Sequence, residues 1–513
     1  MALPRPPAIH ALPTELVREI IRAGCDDSCA EITLPLPIPK PLAVSVSQFC
    51  ARWRTVAHRE PALWQNFCVD LPDELHGGKY EALMNFIANG ASKNRTSLIL
   101  RQGSYRPLNL NPLLPVLLTY AQCMRSLSLN IPGQTVSQLF GSSALPFHHL
   151  ETLSVAVRVE DENGFSFLET EEYQDEFPLP ETPKHHIARI FARTPLLTRV
   201  TIGYDKIMPI SWPPFPLDSW NLPRSQLTEF NGSNIWIDAN QFFNIIGSCP
   251  NLVICVLTVD AEGADDPEND EARITLAHLR KFHITFLEHY SWVWSNLNMP
   301  SLVDLKIATY RDTTEWEDDV FEEFMLRSRC SLTHLTLCFG FLEIVDAVMR
   351  ILDSAPDLQE LTLRWTRLPQ ADDPEWDVAS LMEYLSFHTP STTSLPNMHR
   401  ICIDAAPESV RMLVSRCHGT DCALRHVVLY AQQPSTCEAL FRADIAMIRA
   451  AGATVLCEQI VFPLREIYDP LYNYNPSVGA RTPSPSTHSE VDLAEVYPLT
   501  DTSEESSVGS STA

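Results

Sequence analysis

Long apolar runs are absent from this sequence. No stretch approaches the roughly eighteen consecutive apolar residues that a membrane-spanning helix needs. The opening residues, Met1 to Pro7, also lack the apolar core of a secretory signal. We therefore expect a soluble protein of the cytoplasm or nucleus, with no membrane partner.

Lysine and arginine are scarce, with 38 of them against 64 Asp and Glu, which gives a net charge of −26. No run of Lys and Arg supplies a local basic patch, so phosphate backbones and anionic lipids should be repelled. We expect no nucleic-acid partner. Acids concentrate in Glu160 to Glu181 and in Asp260 to Glu271, which we interpret as solvated loops, with contact to a basic partner as the alternative.

Glycine is also rare, with 17 residues against 40 prolines. Such a ratio favours many abrupt connections between short elements, as repeat arrays require. The 14 cysteines show no paired short spacing, which indicates reduced, mostly buried thiols rather than a disulfide framework. A length of 513 residues suits two or three domains, or one small domain and a solenoid.

The motifs of common catalytic sites are missing. There is no G-x-x-x-x-G-K-[ST], G-x-G-x-x-G, G-x-S-x-G or H-E-x-x-H. The segment Asp260 to Glu271 has the length of a calcium loop but carries Asp265 where the sharp turn needs glycine. Four further residue groups lack the additional ligands or orienting partners that a site needs: Cys25 with Cys29, His148 with His149, His185 with His186, and Cys417 with His418 and Cys422. The sequence thus predicts no enzyme, no metal and no cofactor.

Two short amphipathic helices are predicted at the start of the chain. Apolar residues recur at Leu12, Leu16 and Ile20, and Pro13 stands at the first turn. A second apolar stripe runs from Leu42 through Trp53 to Val56. A module of about fifty residues has a marginal core, so its remaining apolar surface must be covered by a partner or by the rest of the chain.

This opening resembles an F-box, because Leu12-Pro-x-Glu-Leu16, Phe49-x-x-x-Trp53-Arg54 and Pro61-x-Leu63-Trp64 occur in that order. The resemblance covers roughly residues 10–67. It implies that the first helix faces a Skp-type adaptor, that Trp53 and Val56 pack the helices together, and that Leu63 and Trp64 close the module. The adaptor-binding residues it implies are Leu12, Pro13, Leu16, Ile20, Trp53, Leu63 and Trp64. Between the helices, Cys25 to Pro41 is longer than the usual connection, and its alternating prolines favour an extended excursion.

A six-residue pattern, apolar at its first, fourth and sixth positions, recurs along the chain from Met124 onward. The copies begin at Met124, Leu150, Leu197, Leu252, Leu279, Leu302, Leu332, Leu358, Met398 and Leu424, with a weaker copy at Leu227. The fourth and sixth residues should point inward from a short strand, and the residues between them outward. Two longer intervals, after Leu150 and after Leu358, each indicate either an inserted loop or a degenerate extra repeat.

This region resembles leucine-rich repeats, which implies parallel strands on one side and helices on the other. An unrelated α/β domain is the alternative. We expect an α/β chain with an all-α F-box at 10–67, a bridging region at 71–120 in which Ser97 to Leu100 is the first strand, a leucine-rich-repeat solenoid at 121–465, and a disordered acidic tail at 473–513. The tail includes Thr482-Pro483 and Ser484-Pro485, which resemble proline-directed phosphorylation sites.

Together, the two resemblances imply the substrate-recognition subunit of a cullin-RING ubiquitin ligase of the SCF type. Its partners would be the Skp-type adaptor, a cullin reached through that adaptor, and an unidentified target protein held by the repeats. A scaffold that acts outside any ligase and an enzyme of unrecognised class are the alternatives.

Overall fold

The computed structural model describes residues 12–23, 30–31, 49–59, 66–71, 96–103, 117, 121–133, 135–136, 147–158, 194–205, 217–220, 222–260, 273–287, 291–309, 318–339, 345–365, 378–386, 395–417, 424–431 and 434–459. The residues Met1–Tyr468 form one compact unit, and Asp469–Ala513 form a second. The described residues all belong to the first unit. The predicted tail at 473–513 lies outside them.

A parallel sheet of fifteen strands dominates the fold, and its strands follow one another in chain order. They are β1 Ala30–Glu31, β2 Asn66–Leu71, β3 Thr96–Gln102, β4 Met124–Pro132, β5 Thr152–Arg158, β6 Arg199–Tyr204, β7 Glu229–Asp238, β8 Ile254–Asp260, β10 Lys281–Phe286, β12 Asp304–Thr309, β13 His334–Phe339, β14 Glu360–Trp365, β15 Arg400–Asp404, β16 His426–Ala431 and β17 Thr454–Gln459. A second, two-stranded sheet pairs β9 Ile274–Thr275 with β11 Leu297–Asn298. A parallel sheet in strict chain order is the arrangement of a solenoid, because each new strand pairs only with its predecessor.

Helices connect many of these strands. They are α1 Thr14–Ala23, α2 Ala51–His58, α3 Ala239–Ser248, α4 Ser291–Asn296, α5 Asp318–Ser328, α6 Val345–Asp353, α7 Val378–Ser386, α8 Pro407–Cys417, α9 Pro434–Leu440 and α10 Arg442–Ala450. Two short 3₁₀ helices, Leu217–Trp220 and Arg224–Gln226, precede β7. From α5 onward a helix stands between each pair of successive sheet strands, so the described chain is a mixed α/β fold.

The predicted alternation along the strands is confirmed. The first, fourth and sixth positions of all ten full copies are buried, with side chains at most 3% exposed. In β13, for example, Leu335 and Leu337 are buried, while His334 before them and Thr336 between them are partly exposed. These inward residues form one continuous apolar core along the sheet, which is what holds a stack of units that could not fold singly.

A backbone pattern repeats with the same period. The carbonyl at the second position of one copy accepts hydrogen bonds from two N–H groups of the next, as at Val253, which accepts from Arg280 at 2.9 Å and Lys281 at 3.0 Å. The carbonyl of Thr333 accepts in the same way from Gln359 and Glu360, both at 2.9 Å. This shared carbonyl fixes the start of each strand on its predecessor and keeps the register constant.

The weak copy at Leu227 has a local explanation. Its sixth position is Gly232, and β7 is irregular between Gly232 and Trp236 relative to β8. A Cβ placed on Gly232 would lie 3.2 Å from side-chain atoms of both Ile235 and Leu257. Ile235, which is 2% exposed, therefore occupies the core volume that a large sixth residue fills elsewhere.

Neither of the two long intervals adds a strand to the fifteen-stranded sheet, so each contains an inserted segment and not an extra repeat. Strand β5 pairs directly with β6, and β14 pairs directly with β15, so no extra sheet strand lies between the members of either pair. The second interval contains helix α7.

The sheet begins earlier than the sequence indicated. Ser97 to Leu100 does lie in a strand, β3, but β1 and β2 precede it, so the prediction that it is the first strand is wrong. The error arose because β2, although it buries Phe67, Cys68, Val69 and Leu71, does not carry the six-residue pattern used to find the other strands. Strand β2 also starts at Asn66, inside the range expected for the helical opening module.

A candidate docking surface on the opening helices

Helix α1 lies on the first predicted apolar stripe, and α2 covers the second stripe from Ala51 onward, while 42–48 lie outside the described residues. In α1 the N–H of Val17 donates to the carbonyl of Pro13 at 3.1 Å, which places the proline at the helix start, where its missing N–H is not needed. Helix α2 packs against α1, and Arg52 Nη2 donates to Thr14 Oγ1 at 3.1 Å across the pair. Both helices are thereby attached to each other through polar and apolar contacts.

One face of the pair is buried in the body of the protein. Val17 and Ile21 of α1 and Val56 and Ala57 of α2 are at most 6% exposed, and they belong to the same apolar core as the strands. Trp53 is 5% exposed and joins that core. The rest of the chain therefore covers part of the apolar surface of the module.

A second apolar face is left uncovered. Leu16 and Ile20 lie four residues apart on α1 and are each 50% exposed, and Phe49 beside α2 is 60% exposed. The ring of Phe49 stacks on that of Trp53, with centroids 5.4 Å apart and planes inclined by 28°. Three of the eight exposed large apolar side chains among the described residues thus fall within this short module. Exposed apolar residues one helical turn apart, such as Leu16 and Ile20, mark contact surfaces.

The seven residues implied for adaptor binding divide into three groups. Leu16, Ile20 and the exposed Pro13 lie at the surface, whereas Leu12 is partly buried against the core. Trp53 is buried in the core, and its ring stacks on the exposed ring of Phe49. Leu63 and Trp64 lie outside the described residues. Phe49 was not among the seven, although its position in the second stripe and its stacking partner could have suggested it.

Two residues of the connection between α1 and α2 form a strand, which the sequence did not predict. Ala30 and Glu31, inside the proline-rich segment, form β1 and pair in parallel with Phe67 and Cys68 of β2. The segment is therefore tied to the end of the sheet at these two residues, and Leu16 and Ile20 keep half of their surface exposed. Its four alternating prolines lie outside the described residues.

The outward face of the sheet is the second surface on which a partner could bind. Because side chains alternate, the third and fifth positions of each copy form rows that run across the strands at a spacing of about 4.8 Å. From β4 to β7 the fifth-position row consists of small polar residues: Ser128, Ser154, Thr201 and Asn231. From β10 to β16 the third-position row carries charge: Lys281, Asp304, His334, Glu360, Arg400 and His426.

Both acidic residues of that charged row, Asp304 and Glu360, form ion pairs. Asp304 lies 3.1 Å from Lys281 Nζ and 3.2 Å from His283 Nε2. Burial opposes the ionisation of Asp304, but the hydrogen bonds from His283 and Lys281 outweigh it, so the pKa of this carboxyl is lowered. Glu360 lies 3.4 Å from Arg400, and its other oxygen lies 3.6 Å from His334 and 3.8 Å from His399.

Near the C-terminal ends of β14 to β16, the charged side chains contact an aromatic ring or are buried. The guanidinium of Arg364 stands 4.7 Å from the ring centroid of Tyr430, a cation–π contact between β14 and β16. Asp404, between them on β15, is 1% exposed. This end of the face therefore presents little free charge.

The residue groups set aside as catalytic or metal sites are only partly described. His148 and His149 are both exposed, as predicted, and Cys417 is buried. Cys25, Cys29, His185, His186, His418 and Cys422 lie outside the described ranges, as does the acidic segment after Asp260. Within those ranges no three His, Cys, Asp or Glu side chains converge to hold a metal ion. No helix among them has the length and apolarity to cross a bilayer.

No protein-family model matches the chain, and no curated protein matches it significantly.

Proposed function

We propose that this chain is a substrate-recognition subunit of a cullin-RING ubiquitin ligase of the SCF type. Its opening helices would dock a Skp-type adaptor as an F-box does, and its leucine-rich-repeat-like sheet would hold a target protein. The chain itself would carry out no covalent chemistry. It would act by proximity, because holding a target lysine near a ubiquitin-charged enzyme raises the effective concentration of the reacting groups.

The observation that carries the proposal is the division of α1 into two apolar stripes. Val17 and Ile21 are fully buried in the core, whereas Leu16 and Ile20 on the adjoining stripe are half exposed. A helix that only capped the repeats would need one apolar stripe. The second stripe, together with Phe49, is the kind of surface that an apolar groove of a partner covers.

The test is co-purification of the full chain with a Skp-type adaptor. We expect the adaptor to bind the parent, and binding to fall at least about tenfold when Leu16→Asp and Ile20→Asp place two carboxylates in the apolar contact. Leu440→Asp is the matched control, because Leu440 is 72% exposed near the other end of the sheet. Circular dichroism would verify that all variants are folded.

The outcomes separate the alternatives. Loss of adaptor binding in the Leu440→Asp control, or retention in the double variant, would refute docking through α1. Adaptor binding without capture of a cullin in a reconstitution of the purified components would favour a scaffold outside any ligase. No binding by a folded parent would leave the opening helices as a cap for the sheet.

A further inference from the structure

Cations from distant parts of the sequence lie along one side of the sheet, near the N-terminal ends of the successive strands from β10 to β16. The third and fifth positions of the six copies from β10 to β16 are in register across neighbouring strands, and each second position stands immediately before its strand. Their charged residues are Arg280, Lys281, Lys306, Arg400 and Arg425 against Asp304 and Glu360, together with the imidazoles of His283, His334, His399 and His426. We call this set the basic edge.

The basic edge is cationic on a strongly acidic protein. Five cations minus two carboxylates gives a formal charge of +3 before any histidine is protonated, on a chain whose net charge is −26. The same positions in the five copies from β4 to β8 hold Arg125 and Arg199 against Glu151 and Glu229, which sum to zero. The positive charge is therefore specific to the second half of the sheet.

The cations of the basic edge exceed what the local carboxylates can neutralise. Asp304 is engaged by Lys281 and His283, and Glu360 by Arg400 and two histidines. No described carboxylate forms an ion pair with Arg280, Lys306 or Arg425, and Arg280 and Arg425 are exposed. These three side chains remain available to an incoming anion.

The dimensions fit an extended peptide. Lys281 in β10 and His426 in β16 are five strand steps apart, or roughly 24 Å, which an extended chain of about eight residues spans. Charge complementarity selects an acidic peptide. A nucleic acid fits less well, because its evenly spaced phosphates would meet Asp304 and Glu360 and the acidic remainder of the protein.

We propose that the basic edge binds an Asp- and Glu-rich segment of the target protein. This inference deepens the proposed function, since it rests on the sheet holding a target. It specifies that the target is bound at the basic edge and that the bound segment of the target is acidic. Arg280, Lys306 and Arg425 provide the attraction, and the ion-paired residues between them hold the register of the surface.

The test measures binding of a fluorescein-labelled peptide of about eight residues, rich in Glu, to the full chain by anisotropy. The same peptide with Gln in place of Glu is the neutral reference. We expect the Glu peptide to bind more tightly, and its affinity to fall as salt rises because exposed charges are screened. Arg280→Gln with Arg425→Gln should weaken it about five- to tenfold.

The matched control is Arg411→Gln with Arg442→Gln, which lowers the net charge equally at two exposed helical positions. We expect this control to bind the Glu peptide like the parent. An equal loss in both double variants would mean that total charge, not the basic edge, governs binding and would overturn the proposal. So would equal binding of the Glu and Gln peptides, or preferential binding of a single-stranded oligonucleotide of the same charge.

The acidic segment of the chain itself is the remaining occupant to exclude. If deletion of Glu160 to Glu181 strengthens peptide binding severalfold, that segment occupies the basic edge and the proposal of a target segment fails. Adaptor capture is measured on the same preparations. A protein that binds the adaptor but not the peptide refutes this inference alone, whereas the reverse refutes the docking function and leaves the basic edge intact.

Discussion

Arg416 is the one arginine that is buried among the described residues, at 3% exposure. From α8 it donates to the carbonyl of Leu385 at 2.6 Å, in the last turn of α7, and to that of Leu395 at 3.0 Å. Arg327 of α5 does the same for α4, donating to the carbonyls of Trp294 and Leu297. In both places an arginine donates to a carbonyl in the last turn of the preceding helix, Leu385 or Trp294, and to a second carbonyl beyond the end of that helix.

This arrangement leads to a prediction for Arg416→Met. The substitution keeps much of the side-chain volume but removes a donor from the carbonyls of Leu385 and Leu395, of which Leu395 keeps the N–H of Met398 at 3.3 Å. We therefore expect a loss of about 2 kcal/mol in the free energy of unfolding. Urea denaturation followed by circular dichroism measures it. Arg411→Met, on the same helix but with its side chain 75% exposed, should stay within about 0.5 kcal/mol of the parent. Comparable losses in the two variants would contradict the role given to Arg416.

At the scale of the element, two helices end on residues in the left-handed region. Gly452 has φ 94° after α10, and its N–H and that of Ala453 donate to the carbonyls of Arg449 and Ile448. Arg329 has φ 48° after α5, with its N–H donating to Met325 at 2.9 Å. Glycine adopts this conformation without a steric cost, whereas arginine does not.

The two helix ends therefore predict changes of opposite sign. Arg329→Gly should raise the free energy of unfolding by about 0.5–1 kcal/mol, because it removes the left-handed strain of a side chain that is exposed. Gly452→Ala should lower it by about 1 kcal/mol for the converse reason, although the added Cβ would meet no atom within 4 Å. Both are measured from urea midpoints. A stability change of the same sign in both variants would show that backbone conformation does not control these positions.

At the scale of the whole molecule, the sheet passes directly from β5 to β6 across the longest interval. The first positions of these two copies, Leu150 and Leu197, are 47 residues apart, and removal of the 22 residues Glu160 to Glu181 would leave 25. The preceding interval, from Met124 to Leu150, is 26. The deletion therefore restores the ordinary repeat length without touching either strand.

We expect the variant without Glu160 to Glu181 to keep the far-ultraviolet circular dichroism of the parent and a thermal midpoint within a few degrees of it. Deletion of an equal length that includes β6 is the control, and it should abolish cooperative unfolding because it removes buried Val200 and Ile202. Loss of cooperative unfolding in the first variant would mean that the acidic segment is part of the array.

The sequence predicted the array well because a period-two apolar pattern repeated ten times has few structural solutions. Leu361 and Leu363, or Ile401 and Ile403, could be assigned to the core from spacing alone, and all four are buried. Strand β2 was missed because its alternation at Phe67, Val69 and Leu71 occurs once, at the end of a segment assigned to the helical module, and does not follow the six-residue pattern. The choice between insertion and extra repeat required the strand pairing itself.

The opening helices show which features follow from the sequence alone and which depend on the tertiary structure. Amphipathic spacing by itself determined that α1 and α2 exist and which residues are apolar, because a helix places every fourth residue on one side. Only the tertiary structure decided that Val17 and Ile21 are buried while Leu16 and Ile20 are exposed, since that depends on which side the strands occupy. The same holds for the basic edge. The local composition shows an acidic chain without a basic run. Parallel pairing nevertheless brings Arg280, Lys306 and Arg425, which span more than a hundred residues of sequence, onto one face within five strand steps.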